Sequence, residues 1–160
     1  MVVISDTTAI TNLYQIKLLL IVKELYGEII IPEGVYEELS KFSNQKSAID
    51  KSDWIKVKKI EDESLVKELL EELDQGEAEA ITLAIETKSD LLVIDEQKGR
   101  IVARRYGLRI IGILGILINA KRKKIIPQVK PYMLELIDEA GFHLSKKLYR
   151  EILKRVGEEE

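Results

Sequence analysis

The chain has 160 residues, of which 46% are hydrophobic and 33% charged, and its net charge is −3. This size and composition predict one globular domain with a sizeable core and exclude a disordered chain. There is no cysteine and a single histidine, His143, which excludes disulfides, thiolate metal sites and multi-histidine zinc sites, so a bound metal would need oxygen ligands.

The first residues, MVVISD, lack a basic region followed by a long apolar run, and no stretch approaches the roughly 20 apolar residues that span a bilayer. We therefore expect a soluble, cytoplasmic protein without membrane contact. A chain rich in Glu, Lys and Ile, with 6% aromatic residues, is also typical of a thermophilic source.

Apolar, β-branched runs alternate along the chain with segments of helical periodicity. The predicted strands are residues 2–5, 28–32, 54–60, 91–95 and 108–111, and the predicted helices lie near residues 7–25, 33–43, 62–73, 76–88, 96–106 and 113–123. This alternation favours βαβ units, and therefore an α/β fold with a parallel sheet and helices on both faces.

The strand signals stop after residue 111, and helical patterns follow near residues 113–123, 129–140 and 145–156. No repeat, low-complexity segment or linker divides the chain. We expect residues 1–160 to form a single domain, with an α/β core at about 1–112 and C-terminal helices at about 113–160.

Two aspartates follow apolar runs that are typical of buried strands. Asp6 comes directly after VVIS and Asp95 directly after LLVI, so both are expected at the carboxyl edge of the sheet, where open α/β sheets bind ligands. The alternative for each is a structural role, because Asp is a favoured N-cap for a following helix.

Glu38 lies three residues after Val35, on the apolar side of the helix near 33–43. It is either a functional acid or a residue at the margin of the apolar stripe, and the spacing alone does not decide between these two interpretations.

Glu77 should face the core, because its neighbours at helical spacing are Ala80, Ile81, Ala84 and Ile85. Its structural alternative is a capping box in which Asp74 is the cap. Glu79 should lie instead on a mixed edge that water reaches.

Four carboxylates at one edge of a sheet would repel one another unless a cation joined them. Without thiols or a histidine cluster, the fitting ion is Mg²⁺ or Mn²⁺, which prefers oxygen ligands. Two such ions can activate a water and stabilise the leaving oxygen when a phosphodiester is cleaved. Asp6, Glu38, Glu77 and Asp95 are therefore the predicted metal ligands and catalytic residues.

The order of these acids resembles that of the PIN domains, metal-dependent nucleases that include the toxin ribonucleases of prokaryotic toxin–antitoxin pairs. VISDTTAI looks like the opening strand with its first acid, Asp6, and IIIPEGVYEEL is similar to the second motif, with Glu38. GEAEAITLA resembles the third motif, with Glu77 in place of the more usual Asp, and LLVIDEQKGRIVARRYGLRIIGILGIL the fourth, with Asp95. The resemblance covers most of the chain, and the continuation of the fourth motif resembles a branch of prokaryotic PIN-like proteins of unassigned function.

The resemblance implies a three-layer α/β/α sandwich around a mainly parallel sheet of four to five strands. It also implies Mg²⁺ or Mn²⁺ as cofactor, RNA as substrate, a homodimer, and a small antitoxin that blocks the site. The chain departs from the toxin branch at Val93, where a Thr is usual, and at EQKGR, which replaces an acid that sometimes follows Asp95.

Residues beside the acids are further candidates. Thr7 or Thr8 can orient a ligand through its hydroxyl, and Glu96 is either an outer ligand or an exposed acid that favours the helix dipole. Arg100, Arg104 and Arg105 lie on the predicted helix after Asp95, where they either contact an RNA backbone or pair with Glu residues.

We expect a Mg²⁺- or Mn²⁺-dependent endoribonuclease, of the kind that acts as a toxin in toxin–antitoxin pairs, and two alternatives stay open. One is a Mg²⁺-dependent phosphatase of the haloacid dehalogenase type, although that family needs a second Asp where this chain has Thr8. The other is a catalytically weak or inactive PIN-fold module that binds RNA or a protein partner. Gly-rich phosphate loops and dinucleotide fingerprints are absent, which argues against ATP and NAD chemistry.

Overall fold

The computed structural model describes residues 1–159. Within them lie five strands and ten helices: β1 (Val3–Ser5), α1 (Thr7–Gln15), α2 (Leu20–Tyr26), β2 (Ile29–Pro32), α3 (Glu33–Leu39), α4 (Ser43–Asp50), β3 (Ile55–Lys58), α5 (Glu63–Leu69), α6 (Gln75–Thr87), β4 (Leu91–Val93), α7 (Gln97–Arg105), β5 (Ile110–Ile111), α8 (Ile113–Arg122), α9 (Lys130–Asp138) and α10 (Lys146–Arg155). None of the helices in this range has both the length and the apolar character needed to cross a bilayer.

The five strands form one parallel sheet in the order β3-β2-β1-β4-β5. β1 lies at its centre, where Ile4 pairs with Ile30 of β2 on one side and with Leu92 of β4 on the other. From β1, the sheet therefore extends through β2 and β3 on one side and through β4 and β5 on the other. The prediction of a mainly parallel sheet with four to five strands is confirmed.

Consecutive strand residues alternate between two hydrophobic cores, one on each face of the sheet. Val3 and Val93 pack in the first core, with side chains from α1 to α4 and from α8 to α10. Ile4 and Leu92 pack in the second core, with side chains from α5, α6 and α7. Because strands covered on both faces read as continuous apolar runs, the sequences of β1, β2 and β4 suit this position, whereas β3, IKVK, is an edge strand with mostly exposed residues. The fold is a three-layer α/β/α sandwich, as the resemblance implied.

The three C-terminal helices are fastened by an acid close to the end of the chain. The carboxylate of Glu158 accepts hydrogen bonds from the backbone N–H groups of Val129 and Lys130, at 2.8 and 2.9 Å, and from Lys121 Nζ at 2.8 Å. These bonds join the end of α8 and the start of α9 to the segment after α10. The predicted C-terminal helices thus belong to the helical layer that covers the first core.

Two predicted helix lengths were wrong. The helix near residues 7–25 is divided into α1 and α2, because the chain turns at Lys17, whose φ of 60° is left-handed. The helix near residues 33–43 ends at Leu39, and α4, which the periodicity did not predict, follows it. Only Gln45 and Ile49 of α4 are buried, so α4 has no continuous apolar stripe from which to predict it.

Candidate active site at the carboxyl edge of the sheet

The carboxyl ends of β1 and β4 lie side by side at the centre of the sheet, at the switch point where a crevice forms in open α/β sheets. The chain leaves these neighbouring strands in opposite directions, which is the position where open α/β sheets bind ligands. Asp6 directly follows β1, and its backbone N–H donates to the carbonyl of Val93, the last residue of β4, at 3.0 Å. Asp95 comes two residues after Val93. Both acids therefore border the crevice, as their positions after the strands predicted.

Asp6 combines a structural hydrogen bond with an unsatisfied oxygen. Its Oδ1 accepts from the N–H of Ala9 at 3.1 Å and so caps α1, while its Oδ2 is buried without a hydrogen-bond partner. The residue is 1% exposed. Burial raises the pKa of Asp6 well above its usual range, and the nearby charges of Asp95 and Glu77 raise it further.

Glu77 also divides its two oxygens between a cap and an unpaired position. It forms the capping box with Asp74: Glu77 N–H donates to Asp74 Oδ1 at 2.8 Å, and Asp74 N–H donates to Glu77 Oε1 at 3.3 Å. Its Oε2 is buried without a partner, and the residue is 8% exposed. Burial raises the pKa of Glu77 to about 7, helped by the adjacent Asp74 carboxylate. The capping and the buried-acid interpretations of Glu77 are therefore both correct.

Asp95 does not cap the helix that follows it, contrary to the structural alternative from the sequence. Its Oδ1 accepts from the N–H of Ile113, the first residue of α8, at 2.9 Å, and the N-cap of α7 is Glu96. The Oδ2 of Asp95 is buried without a partner. Burial raises the pKa of Asp95 to about 6, against the opposing effects of the Ile113 hydrogen bond and the Arg100 charge.

Glu38, the fourth predicted acid, meets Thr7 beside the first turn of α6. A Cβ added at Gly76 would lie 2.7 Å from Glu38 Oε1 and 2.8 Å from Thr7 Oγ1. The hydroxyl of Thr7 is buried and has no hydrogen-bond partner. Glu38 is half-buried and thus lies next to the residue that precedes Glu77.

Asp6, Glu77 and Asp95 share one arrangement, in which one oxygen accepts from a backbone N–H at a helix start and the other is buried and unpaired. A buried anionic oxygen without a partner is costly unless it is protonated or bound to a cation. The donor set, made of carboxylate oxygens alone, suits a hard divalent cation such as Mg²⁺ or Mn²⁺. The residues therefore fit the predicted ion in their chemistry and in their unsatisfied atoms.

The ligand geometry is less complete than the donor chemistry. In residues 1–159, no three His, Cys, Asp or Glu side chains stand together as a ready-made metal-binding group. Asp6, Glu77 and Asp95 are close enough for the charges of the other two to raise the pKa of Asp6, after burial itself. Each is nevertheless tied to the start of a different helix, so the carboxylates approach one another without enclosing a common point.

Three glycines allow the acids their positions, and sequence reasoning missed them. Besides Gly76, a Cβ added at Gly99 would lie 2.8 Å from Glu77 Oε2, and one added at Gly112 would lie 2.7 Å from Asp95 Oδ1. Any side chain there would displace a candidate ligand. The available signal was an isolated glycine inside or at the start of a predicted helix, which often marks a close approach to the backbone.

The prediction that Glu79 faces water was wrong. Glu79 is 7% exposed, and its Oε1 accepts from the N–H of Gly34 at 3.1 Å, while its Oε2 accepts from Gln75 at 2.6 Å. Because Gly34 lies in the first turn of α3, Glu79 ties α3 to α6. Helix α3 covers the face of α6 that the sequence pattern assigned to solvent, so Glu79 is a buried structural acid.

The remaining candidates lie around the acids. Thr8 is half-buried on α1. Glu96 is exposed, its side chain does not cap α7, and its charge adds to the effect of burial in raising the pKa of Glu77 and of Asp95.

The three candidate arginines differ in their surroundings. Arg100 is half-buried, lies beside Asp95, and donates from one guanidinium nitrogen to the carbonyl of Ile94 at 2.9 Å. Arg104 is exposed, whereas Arg105 forms an exposed ion pair with Glu72 at 3.2 Å. Arg105 thus follows the alternative of pairing with a Glu residue, and Arg100 is the one that lies at the acidic site.

A protein-family model described as DUF3368: PIN domain matches residues 2–158. No curated protein matches the chain. The match includes all four predicted acids and nearly the whole sequence, and it confirms the resemblance that the order of the acids indicated.

Proposed function

The chain belongs to the PIN-domain family, whose members are in general nucleases, and we propose that it is a Mg²⁺- or Mn²⁺-dependent endoribonuclease. The observation that carries this proposal is the set of three buried carboxylates, each with one unpaired oxygen, at the central crevice of a parallel sheet. The proposed metal ligands are Asp6, Glu77 and Asp95, with Glu38 as the fourth. Residues 1–160 would act as one domain.

The ion, when bound, supplies positive charge that stabilises the charge developing on the phosphoryl oxygens and lowers the pKa of water. The protein contributes orientation, because the Ala9 and Ile113 N–H groups hold one oxygen of Asp6 and of Asp95. Glu77, whose pKa burial raises to about 7, can hold a proton at Oε2 near neutral pH, and its deprotonated form would be a ligand of the ion. Thr7 would orient a carboxylate through its unpaired hydroxyl. Water is the nucleophile, so no side chain becomes bonded to phosphorus.

A second candidate is a PIN-fold module that binds RNA without cleaving it. Two observations favour it: the buried acids already have structural hydrogen bonds at helix starts, and residues 1–159 contain no ready-made metal-binding group. In such a module, the raised pKa values would keep part of the acids protonated, and the acids would stabilise the fold.

We further propose that the protein is a toxin that acts on RNA, forms a homodimer and is blocked by a small antitoxin. The family resemblance supports this proposal. Growth arrest when the chain is expressed, relieved by the product of a neighbouring reading frame, would test the toxin role. Sedimentation of the purified chain would test the homodimer.

The experiment that tests the nuclease is digestion of a mixed RNA pool with Mn²⁺, with Mg²⁺ and with EDTA. Asp6→Asn is the informative variant, because the Asn oxygen can still accept from Ala9 and cap α1. Asp53→Asn, at an exposed carboxylate away from the crevice, is the matched control. We expect cleavage that needs a divalent ion and is lost in Asp6→Asn alone.

Cleavage that persists in EDTA, or in Asp6→Asn, would overturn the proposal. Binding of RNA without turnover in either ion would select the non-catalytic module. Hydrolysis of a small phosphomonoester with RNA left intact would select the phosphatase.

A further inference from the structure

A groove of about 420 Å³ adjoins the acidic site. It lies between the end of β5, the start of α8 and the loop that connects α9 to α10. Of the four proposed ligands only Asp95 lines it, and Arg100, Phe142 and His143 are among its other lining residues. Its volume is in the range of sites that bind small molecules or single groups of a larger ligand, roughly 300–1,000 Å³.

Arg100 gives this groove a fixed positive charge. One of its guanidinium nitrogens is held by the carbonyl of Ile94, and the side chain is half-buried beside Asp95. It forms no ion pair with an acid in the part of the chain that the structure describes. A guanidinium has five N–H donors, so most of them stay available for an anionic ligand, and phosphate suits their planar arrangement.

The loop after α9 supplies aromatic surface. Phe142 is half-buried against the first core, and its backbone N–H donates to the carbonyl of Leu136 at 2.8 Å, which holds the loop against α9. His143, the only histidine of the chain, is exposed next to it. The opposite side of the groove includes Gly112 and Gly115, and the lack of a side chain at Gly112 lets Arg100 and Asp95 approach the start of α8 closely.

We propose that this groove binds one nucleotide of the RNA beside the scissile phosphate, with a phosphate on Arg100 and the base stacked on Phe142 and His143. A nucleotide fits better than an apolar peptide because the groove combines aromatic side chains with a guanidinium that forms no ion pair within residues 1–159, and because Asp95 lines it. Single-stranded RNA is bound in this manner, through unstacked bases on aromatic side chains and phosphates on basic ones. The proposal rests on the proposed function, since it assigns the substrate contact of the same site.

The test is equilibrium binding of a fluorescein-labelled octaadenylate in EDTA, where the ion-dependent reaction does not occur. The variants are His143→Ala, Phe142→Leu and Arg100→Gln. Each aromatic replacement should weaken binding roughly 5- to 150-fold, the range for loss of one stacked base. Arg100→Gln should lower the dependence of binding on salt by about one phosphate contact.

Matched controls exist for two of these changes. Phe42→Leu removes the other phenylalanine, which is 68% exposed outside the groove, and Arg122→Gln removes an exposed arginine at the far end of α8. Both should leave binding unchanged. Phe142→Leu keeps an apolar side chain against the core, and a thermal unfolding scan of each variant reports whether it is folded.

Octaadenylates with one abasic position supply the decisive comparison. In the wild type, one abasic position should weaken binding more than the others, and in His143→Ala that difference should disappear. Equal binding by His143→Ala, Phe142→Leu and the wild type, or no wild-type binding in EDTA, would overturn the proposal. Altered sedimentation of the two aromatic variants without RNA would also overturn it, because the groove would then be an interface between copies of the chain.

The two proposals fail separately. Intact nucleotide binding in the groove, together with no RNA cleavage in Mn²⁺ or Mg²⁺, would refute the nuclease and keep the nucleotide site. Ion-dependent cleavage that is unchanged by all three groove variants would refute the nucleotide site and keep the nuclease.

Discussion

Removing the charge of Asp95 should stabilise the metal-free protein at neutral pH. The pKa of Asp95 is raised by burial from 3.8 to about 6, so the folded state binds its proton more tightly than the unfolded state does. The stability associated with this group is therefore fully present below about pH 4 and is lost as the pH rises through about 6. Asp95→Asn keeps an oxygen that can accept from Ile113 and abolishes this loss.

The magnitude follows from the pKa difference. A shift of about two units, at about 1.4 kcal/mol each, corresponds to roughly 3 kcal/mol at pH 8, and half-burial makes this an upper value. The new amide leaves an N–H₂ group without an assigned partner, which costs about 1–2 kcal/mol. Asp95→Asn should therefore gain about 1–2 kcal/mol at pH 8 and gain nothing, or lose stability, at pH 4.

Urea unfolding followed by circular dichroism, in EDTA at several values of pH between 4 and 8, measures this difference. Asp53→Asn, at an exposed carboxylate, is the control and should parallel the wild type. If Asp95→Asn has the same pH dependence as the wild type, or is less stable at pH 8, burial does not disfavour the ionised form of Asp95 and the reasoning is wrong.

Three further predictions separate ligands from structural acids. Glu77→Gln should lower RNA cleavage by at least about 10- to 100-fold, because replacing even an outer partner of a metal ligand has an effect of this size. Glu79→Gln on the same helix should keep the activity and lower the free energy of unfolding in urea by about 1 kcal/mol. The opposite pattern would exchange the roles of the two acids. Gly76→Ala should lower RNA cleavage about 10- to 100-fold with little loss of stability. The added Cβ would lie 2.7 Å from Glu38 Oε1 and would therefore displace this carboxylate. Unchanged activity would show that Glu38 does not belong to the site. Glu158→Gln should lower the free energy of unfolding by about 1–3 kcal/mol, because it weakens the hydrogen bonds to α8 and α9. Glu159→Gln, at an exposed residue, should leave the free energy of unfolding unchanged. Equal stabilities of the two variants would show that Glu158 does not hold the C-terminal helices together.

The strands and most helices were predictable because burial sets the pattern of apolar residues in their sequences. Strands such as VVIS and LLVI are apolar throughout, since both faces of the sheet are covered, and α6 has a clear apolar stripe. Helix α4 and the break at Lys17 were not predictable, because α4 is mostly exposed and a left-handed Lys has no signal in the sequence.

The candidate site was predictable in its residues and not in its detailed contacts. Position after a strand placed Asp6 and Asp95 at the crevice, and Glu77 has both the buried position and the capping box that its spacing indicated. That Asp95 holds α8, and that Glu79 holds α3, depends on long-range packing between elements far apart in the chain. Local periodicity does not record which helix covers which face, so the N-cap alternative for Asp95 and the exposed position of Glu79 were wrong.

The central claim is that the carboxylates of Asp6, Glu77 and Asp95 bind a divalent cation. Calorimetric titration of the metal-free protein with Mn²⁺ at pH 7.5, a value chosen as about half a unit above the raised pKa of Glu77, tests it directly. We predict binding to the wild type and to Asp53→Asn, accompanied by proton release, and binding that is weakened or lost in Asp6→Asn and Asp95→Asn. Mn²⁺ binding that is absent from the wild type, or equally strong in all four proteins, would contradict the claim.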